Sequence, residues 1–215
     1  MFRQNVAFTA FVLTLCACAS MAPQKNAALA VETLEALPPQ SYALQPDTAR
    51  MGFQVRSFTP GGVKGEFEAF SGDVTIIDAS APEVSVRAVV DLDTIELGSE
   101  MYENIVKSEA WFDVAAHPQA IFEGVLTEWR EGGIGSVDGQ ITIRGITQPA
   151  AFDISLSCDG VAACPQEAVG FGGEIEISRS SFGMKAFPGV VGDRVRLSIS
   201  GELSAVAAER LAAAP

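Results

Sequence analysis

Arg194-Val195-Arg196-Leu197-Ser198-Ile199-Ser200-Gly201-Glu202-Leu203 alternates, residue by residue, between apolar and polar side chains. Val195, Leu197, Ile199 and Leu203 face one way, while Arg194, Arg196, Ser198 and Glu202 face the other. A period of two marks a strand with one buried and one wet face. The pattern repeats upstream. Val84, Val86, Ala88, Val90 and Leu92 alternate with Ser85, Arg87 and Asp91. Val63, Gly65 and Phe67 alternate with Lys64, Glu66 and Glu68, and Met51, Phe53 and Val55 with Gly52, Gln54 and Arg56. Further strands are expected at 41–44, at Val74 and Ile76, and over 120–129, 137–143, 149–156 and 170–177. Gly61-Gly62, Ser71-Gly72 and Ala81-Pro82 punctuate these runs as turns. One stretch departs from the pattern. Behind Ser99, Met101, Ile105 and Val106 recur at helical spacing and predict a short helix ending near Ser108.

About eight strands joined by short turns imply an antiparallel sheet. So long a sheet is hazardous at its edges unless it closes on itself. The expected fold is therefore all-β, an eight-stranded antiparallel barrel with one short helical excursion, and a barrel of that size can hold a small ligand. Alternation alone leaves open whether the interior is packed or hollow. Thirteen Phe beside twenty Gly suit strands and tight turns around a large apolar interior.

The chain begins differently. Arg3 is the only charge before an apolar run from Val6 to Leu15, too short to span a bilayer and placed like a signal-peptide core. Leu15-Cys16-Ala17-Cys18 follows and is similar to a bacterial lipobox. In that class the cysteine receives a diacylglyceryl group, so Cys18 is the expected lipidation site. Bulky Leu15 makes Cys16 the weaker candidate. An ordinary secretory cut near Ala17-Cys18-Ala19 is the alternative. In lipoproteins, Ala19 rather than Asp after the cysteine favours outer-membrane sorting. The reading is thus a signal peptide over 1–18, a tether over 19–40 with a short helix at 27–37 stopped by Pro38-Pro39, a domain over 41–204 and an Ala-rich tail over 205–215.

The formal charge of −13 and the absence of a basic stripe exclude nucleic acid as a partner. Cys158 and Cys164, six positions apart across Asp159-Gly160, favour a short-loop disulfide in an oxidising compartment. A metal site would need further ligands, and His117 is the only histidine. No metal, haem or iron–sulfur pattern is found, and no cofactor is expected. Ser180 and Ser181 have no histidine nearby in sequence, so no catalytic residue is assigned.

Several segments in order are similar to one known family. They are Tyr42-Ala43-Leu44, Gly52-Phe53-Gln54-Val55-Arg56, 65–72 (GEFEAFSG), Ser108-Glu109-Ala110-Trp111-Phe112-Asp113-Val114, Ile121-Phe122-Glu123, 139–149 (GQITIRGITQP) and 178–184 (SRSSFGM). Together they resemble the YceI-like family of bacterial periplasmic proteins from about Ser41 to Leu203. The resemblance implies a lipocalin-like barrel with a long apolar pore holding polyisoprenoid chains, such as quinone tails or polyprenyl phosphates, with no catalysis. It also shows departures. Thr48, Ala49, Ser57, Glu103 and Ile105 stand where members often carry polar or histidine residues, which leaves the head group undefined.

With that resemblance, Phe53, Val55, Phe67, Phe70, Ile76, Val86, Trp111, Phe112, Ile121, Ile141, Ile143, Phe171, Ile175, Phe182 and Met184 are the candidate tunnel lining. Phe122, Phe152 and Phe187 are further aromatics in the same class. Without the resemblance these residues read as an ordinary core. Arg56 could meet a polar head group. Arg144 and Arg179 fit corners that bond backbone carbonyls better. The expected function is a membrane-anchored periplasmic carrier or sink for an apolar lipid, with the membrane as partner and a second copy of the chain as another. The competing reading is an envelope or stress lipoprotein with a solid core.

Overall fold

The computed structural model describes residues 27–28, 40–58, 60–76, 84–130, 134–158 and 168–206. Twelve strands and one α-helix follow in chain order: β1 (Ala27–Ala28), β2 (Gln40–Leu44), β3 (Arg50–Ser57), β4 (Val63–Phe67), β5 (Phe70–Ile76), β6 (Val84–Asp91), β7 (Ile95–Glu96), α1 (Glu100–Lys107), β8 (Gln119–Arg130), β9 (Ile134–Ile143), β10 (Ile146–Cys158), β11 (Ala168–Ser178) and β12 (Val191–Ala205).

Eight strands close a ring in the order β2-β5-β6-β8-β9-β10-β11-β12 and back to β2, every pair antiparallel. The expected eight-stranded barrel is therefore what forms. β12 runs the full height. Its 203–205 half pairs with β2 and its 191–200 half with β3, so β2 and β3 act as one strand broken at 45–49. The break is tight. A Cβ on Gly201 would stand 2.9 Å from the Ala49 Cα, which is why that position carries no side chain. At the β3 end the wall continues through β4 to β7.

Among the described residues β7 pairs only with β4, and α1 occupies the next place. Glu103 Oε1 accepts from the Leu97 and Ser99 amides, which ties the helix to the segment that leads into it, while the Ser99 side chain makes no capping bond. Ile105 and Val106 then pack against the core. The predicted helix is present, but Met101 points outward and is 61% exposed.

The β9–β10 hairpin turns through Arg144 (φ 53°) and Gly145 (φ 69°). Two consecutive left-handed residues make the tight hairpin turn whose twist matches the flanking strands.

One reading fails at the N-terminus. Ala27 and Ala28 do not begin a helix. They pair with Cys158 and Ser157 on β10. The reason is an open edge: β9 pairs with β10 only as far as Ser155, so the end of β10 offers backbone groups that an extended segment satisfies. Apart from Gln40, which opens β2, the rest of the signal peptide and tether, including Cys18, lies outside the described residues, as do Cys164 and 207–215.

Candidate functional site

The barrel is hollow. A cavity of about 680 Å³ runs along its interior, within the usual range for a small-molecule site. Of the candidate positions, Phe53, Val55, Phe67, Val86, Trp111, Phe112, Ile121, Ile141, Ile143, Phe171 and Met184 border it. The strand pleat explains this: inward positions of eight strands converge on one axis, and their side chains are too few to fill it.

The remaining expected positions fall elsewhere. Arg56 follows inward-facing Val55, so the pleat turns it outward, and it is exposed rather than on the cavity. Phe182 is only 2% exposed, packed solidly in the short turn Arg179–Phe182 behind the wall. Ile175 and Phe70 likewise belong to the packed core without bordering the cavity. The side chain of Ile76 lies outside the described residues.

Helix α1 adds Tyr102, Ile105 and Val106 to the wall, which strand alternation had no means of showing. Phe122, Phe152 and Phe187 border the cavity too. Phe122 and Phe152 meet edge to face with centroids 4.6 Å apart, and the Phe122 ring lies over Gly124.

The two ends differ. At the β2 end, Tyr42, Val84, Leu126 and Leu156 pack in one cluster, and none of them borders the cavity, so that end is plugged. At the other end Phe58, Tyr102, Phe187 and Val190 border the cavity and reach solvent, so the space opens there.

Polar groups on the border are few: Ser57, Lys64, Asp73, Arg87, Arg179 and Ser198, with the Tyr102 hydroxyl and the Trp111 indole N–H, a buried donor that has no hydrogen-bond partner among the described residues. Arg87 bonds Glu123 at 3.1 Å on the outer surface. Arg179 is buried, and its guanidinium donates to the carbonyls of Gly192 (2.9 Å), Met184 (2.5 Å) and Val191 (2.9 Å). It also stacks 4.9 Å from the Trp111 ring centroid. Burial lowers its pKa and Asp193 opposes that shift. A guanidinium stays charged regardless. All three nitrogens are engaged in holding the turn before β12, so Arg179 acts as a corner brace. Arg144 does the same work, with Nη2 donating to Glu109 O at 3.0 Å.

Ser178, Ser180 and Asp193 form a closed set beside that corner. Ser178 Oγ donates to Asp193 Oδ2 in a short bond, and the Ser180 amide donates to Oδ1 at 3.0 Å. The Ser178 hydroxyl, above all, holds the Asp193 carboxyl below the usual carboxylate range. Burial opposes this, while Ser180 and the Arg179 charge act in the same direction as Ser178. A carboxyl depressed in the folded state stabilises above its unfolded pKa, about 3.9, and that contribution disappears as pH falls through the folded value. Asp193→Asn is therefore expected to flatten the decline in stability below about pH 4. Urea midpoints measured from pH 2 to 7 check this; a steep acid limb unchanged in the variant refutes it. Ser181, the other candidate hydroxyl, lies exposed, with its carbonyl accepting from Gln148.

Comparison with known proteins agrees with this geometry. The family model described as "YceI-like domain" matches residues 42–203. The chain belongs to the YceI-like family. A UPF0312 protein of Pseudomonas putida (strain W619) is 30% identical over 142 residues, which cover 65% of this chain and 72% of the relative. UPF0312 proteins of Yersinia are 25% identical over 151 residues, 70% of this chain and 78% of theirs. Among solved structures, Burkholderia cenocepacia BcnA matches this YceI-like barrel with a TM-score of 0.66 at 22% identity, over 75% of this chain and 99% of that one. A polyisoprenoid-binding domain from Saccharophagus degradans, implicated in plant cell wall breakdown, matches with a TM-score of 0.56 at 13% identity, over 79% of this chain and all of that one.

Proposed function

We propose that this YceI-like barrel binds a long apolar lipid, an isoprenoid chain such as a quinone or polyprenyl lipid, and serves as a carrier or sink for it. The observation that carries this reading is the hollow interior: an apolar cavity of about 680 Å³, plugged at one end and open at the other. A water molecule takes up about 30 Å³ in the liquid and a chain methylene is of similar size, so the space suits roughly twenty chain carbons, about four isoprene units. Each buried methylene contributes about 0.8 kcal/mol without any specific hydrogen bond. The donors of Arg179 are used by carbonyls, so the polar head is left at the open mouth. The polyisoprenoid-binding neighbour of the same fold supports the ligand class. Nothing is turned over on this reading; the Ser178 hydroxyl bonds Asp193 and the Ser180 hydroxyl, and the Ser180 amide bonds Asp193, so both serines serve a corner.

The lipobox-like Leu15-Cys16-Ala17-Cys18 supports export and an acyl anchor on Cys18, with the domain held at a membrane of the periplasm, the outer one by the Ala19 rule. Cys18→Ser would then move the protein from the membrane to the soluble fraction.

Organic extraction and mass spectrometry of the purified protein test the carrier function. The expected result is one class of prenyl lipid at up to one molecule per chain. Empty extracts from several preparations would overturn it and leave the anchored scaffold as the better account.

A further inference from the structure

We infer that the open mouth of the barrel docks directly on an anionic lipid bilayer, the apolar rim entering the headgroup region so that lipid passes without crossing water. This rests on the carrier reading above. The described residues include eight exposed large apolar side chains. Four of them border the cavity: Phe58 (79% exposed), Tyr102 (56%), Phe187 (52%) and Val190 (47%). A fifth, Met101, borders an adjoining open groove between α1 and the 183–190 loop. The other three, Val125, Ile134 and Ile146, touch neither space. Scattered apolar residues need no explanation, but a contiguous patch around a pore does.

Charge identifies the surface it fits. The chain carries 27 acidic and 14 basic residues. Yet the two loops presenting Phe58 and Phe187, 56–64 and 183–192, hold Arg56, Lys64 and Lys185 and no Asp or Glu, while the third aromatic tip, Tyr102, stands on α1 between Glu100 and Glu103, with Lys107 at the end of that helix. Glu100 on α1 is the acid beside the groove. An apolar rim flanked by bases on an otherwise acidic molecule is complementary to an anionic membrane and repelled by little else. Aromatic side chains suit the headgroup layer, and each nearby base strengthens attachment about fivefold. Arg56, exposed and off the cavity border, has a place here.

Two tryptophan reporters test this in the full chain: Phe58→Trp at the mouth and Ile134→Trp at the plugged end, each read against the native Trp111 and Trp129. With vesicles of brominated phosphatidylglycerol, emission from position 58 is expected to shift blue and to be quenched at least twofold more than from position 134. An N-terminal acyl anchor brings both variants to the vesicle equally, so only the docked face separates them. Adding Lys64→Ser and Lys185→Ser should raise the anionic lipid needed for half-quenching by about fivefold per base. Equal quenching at both positions, or none at 58, overturns the docking. A concentration-dependent dimer that Phe58→Ser and Phe187→Ser abolish, without quenching, assigns the patch to a second copy and overturns it as well. Lipid extraction reads carriage separately: bound lipid with an unquenched position 58 keeps the carrier and removes the docking.

Discussion

Replacing Ala88 with Phe is expected to empty the barrel while leaving it folded. Ala88 sits midway along β6, between Gly72 on β5 and Phe122 on β8, and borders the cavity. A phenyl ring there projects across the space and separates the mouth from the plugged end. Losing burial of only five methylenes, at about 0.8 kcal/mol each, costs about 4 kcal/mol, near a thousandfold in affinity. The ring enters a void rather than a packed site, so stability should change by less than about 1 kcal/mol. Lipid extracted per chain and the urea midpoint check the two halves of this expectation. Val125→Phe, on the exposed face of β8, is the control and should keep its lipid. An Ala88→Phe chain that carries as much lipid as the native one would show that the cargo does not occupy the bore.

The largest stability effect is expected at Arg179. Arg179→Met keeps most of the stem volume but removes three donors and the cation over Trp111. The carbonyls of Met184, Val191 and Gly192 then lose that partner at a part-buried corner. Hydrogen bonds to a charged donor contribute about 1.5–3 kcal/mol each and do not add fully, so a loss of about 3–5 kcal/mol is expected. For a domain of this size that lowers Tm by roughly 10 °C. Arg179→Lys should recover only part of this, because one ammonium cannot follow three carbonyls splayed around a planar fork. A Met variant within about 1 kcal/mol of the native chain in urea titrations would refute the brace. If Arg179 served a bound head group instead, lipid yield rather than stability would fall.

The barrel was legible because its strands keep strict alternation. Val84 to Leu92 and Val195 to Leu203 point inward as their sequence implies, and the turn at Arg144-Gly145 falls between two clean runs. What could not be read is depth. Alternation separates Ile175 from solvent but cannot say whether an inward side chain meets a void or another side chain, and it does not reach Phe182, which lies in a turn beyond β11. The same limit hid the role of α1, whose Tyr102, Ile105 and Val106 border the cavity beyond β7, which pairs with β4 alone among the described residues. Arg56, one step from inward-facing Val55, lies on the outer side of the wall by parity, exposed next to the mouth residues Ser57 and Phe58. Ala27 and Ala28 have high helix propensity, yet an unpaired edge on β10 took them.

β12 has a consequence for how the molecule comes to exist. At fifteen residues it is the longest described strand and the last of them to be made, and among the described residues it alone bridges β11 to the β2–β3 strand some 150 residues earlier. Closure across such a separation is slow, on the order of milliseconds to seconds in proteins dominated by distant pairings. Until those residues arrive, the nascent sheet has two raw margins and a wet, greasy inner face. A chain stopped before Val191 would not be a shorter vessel but an unrolled one, prone to clump and easily cut by proteases.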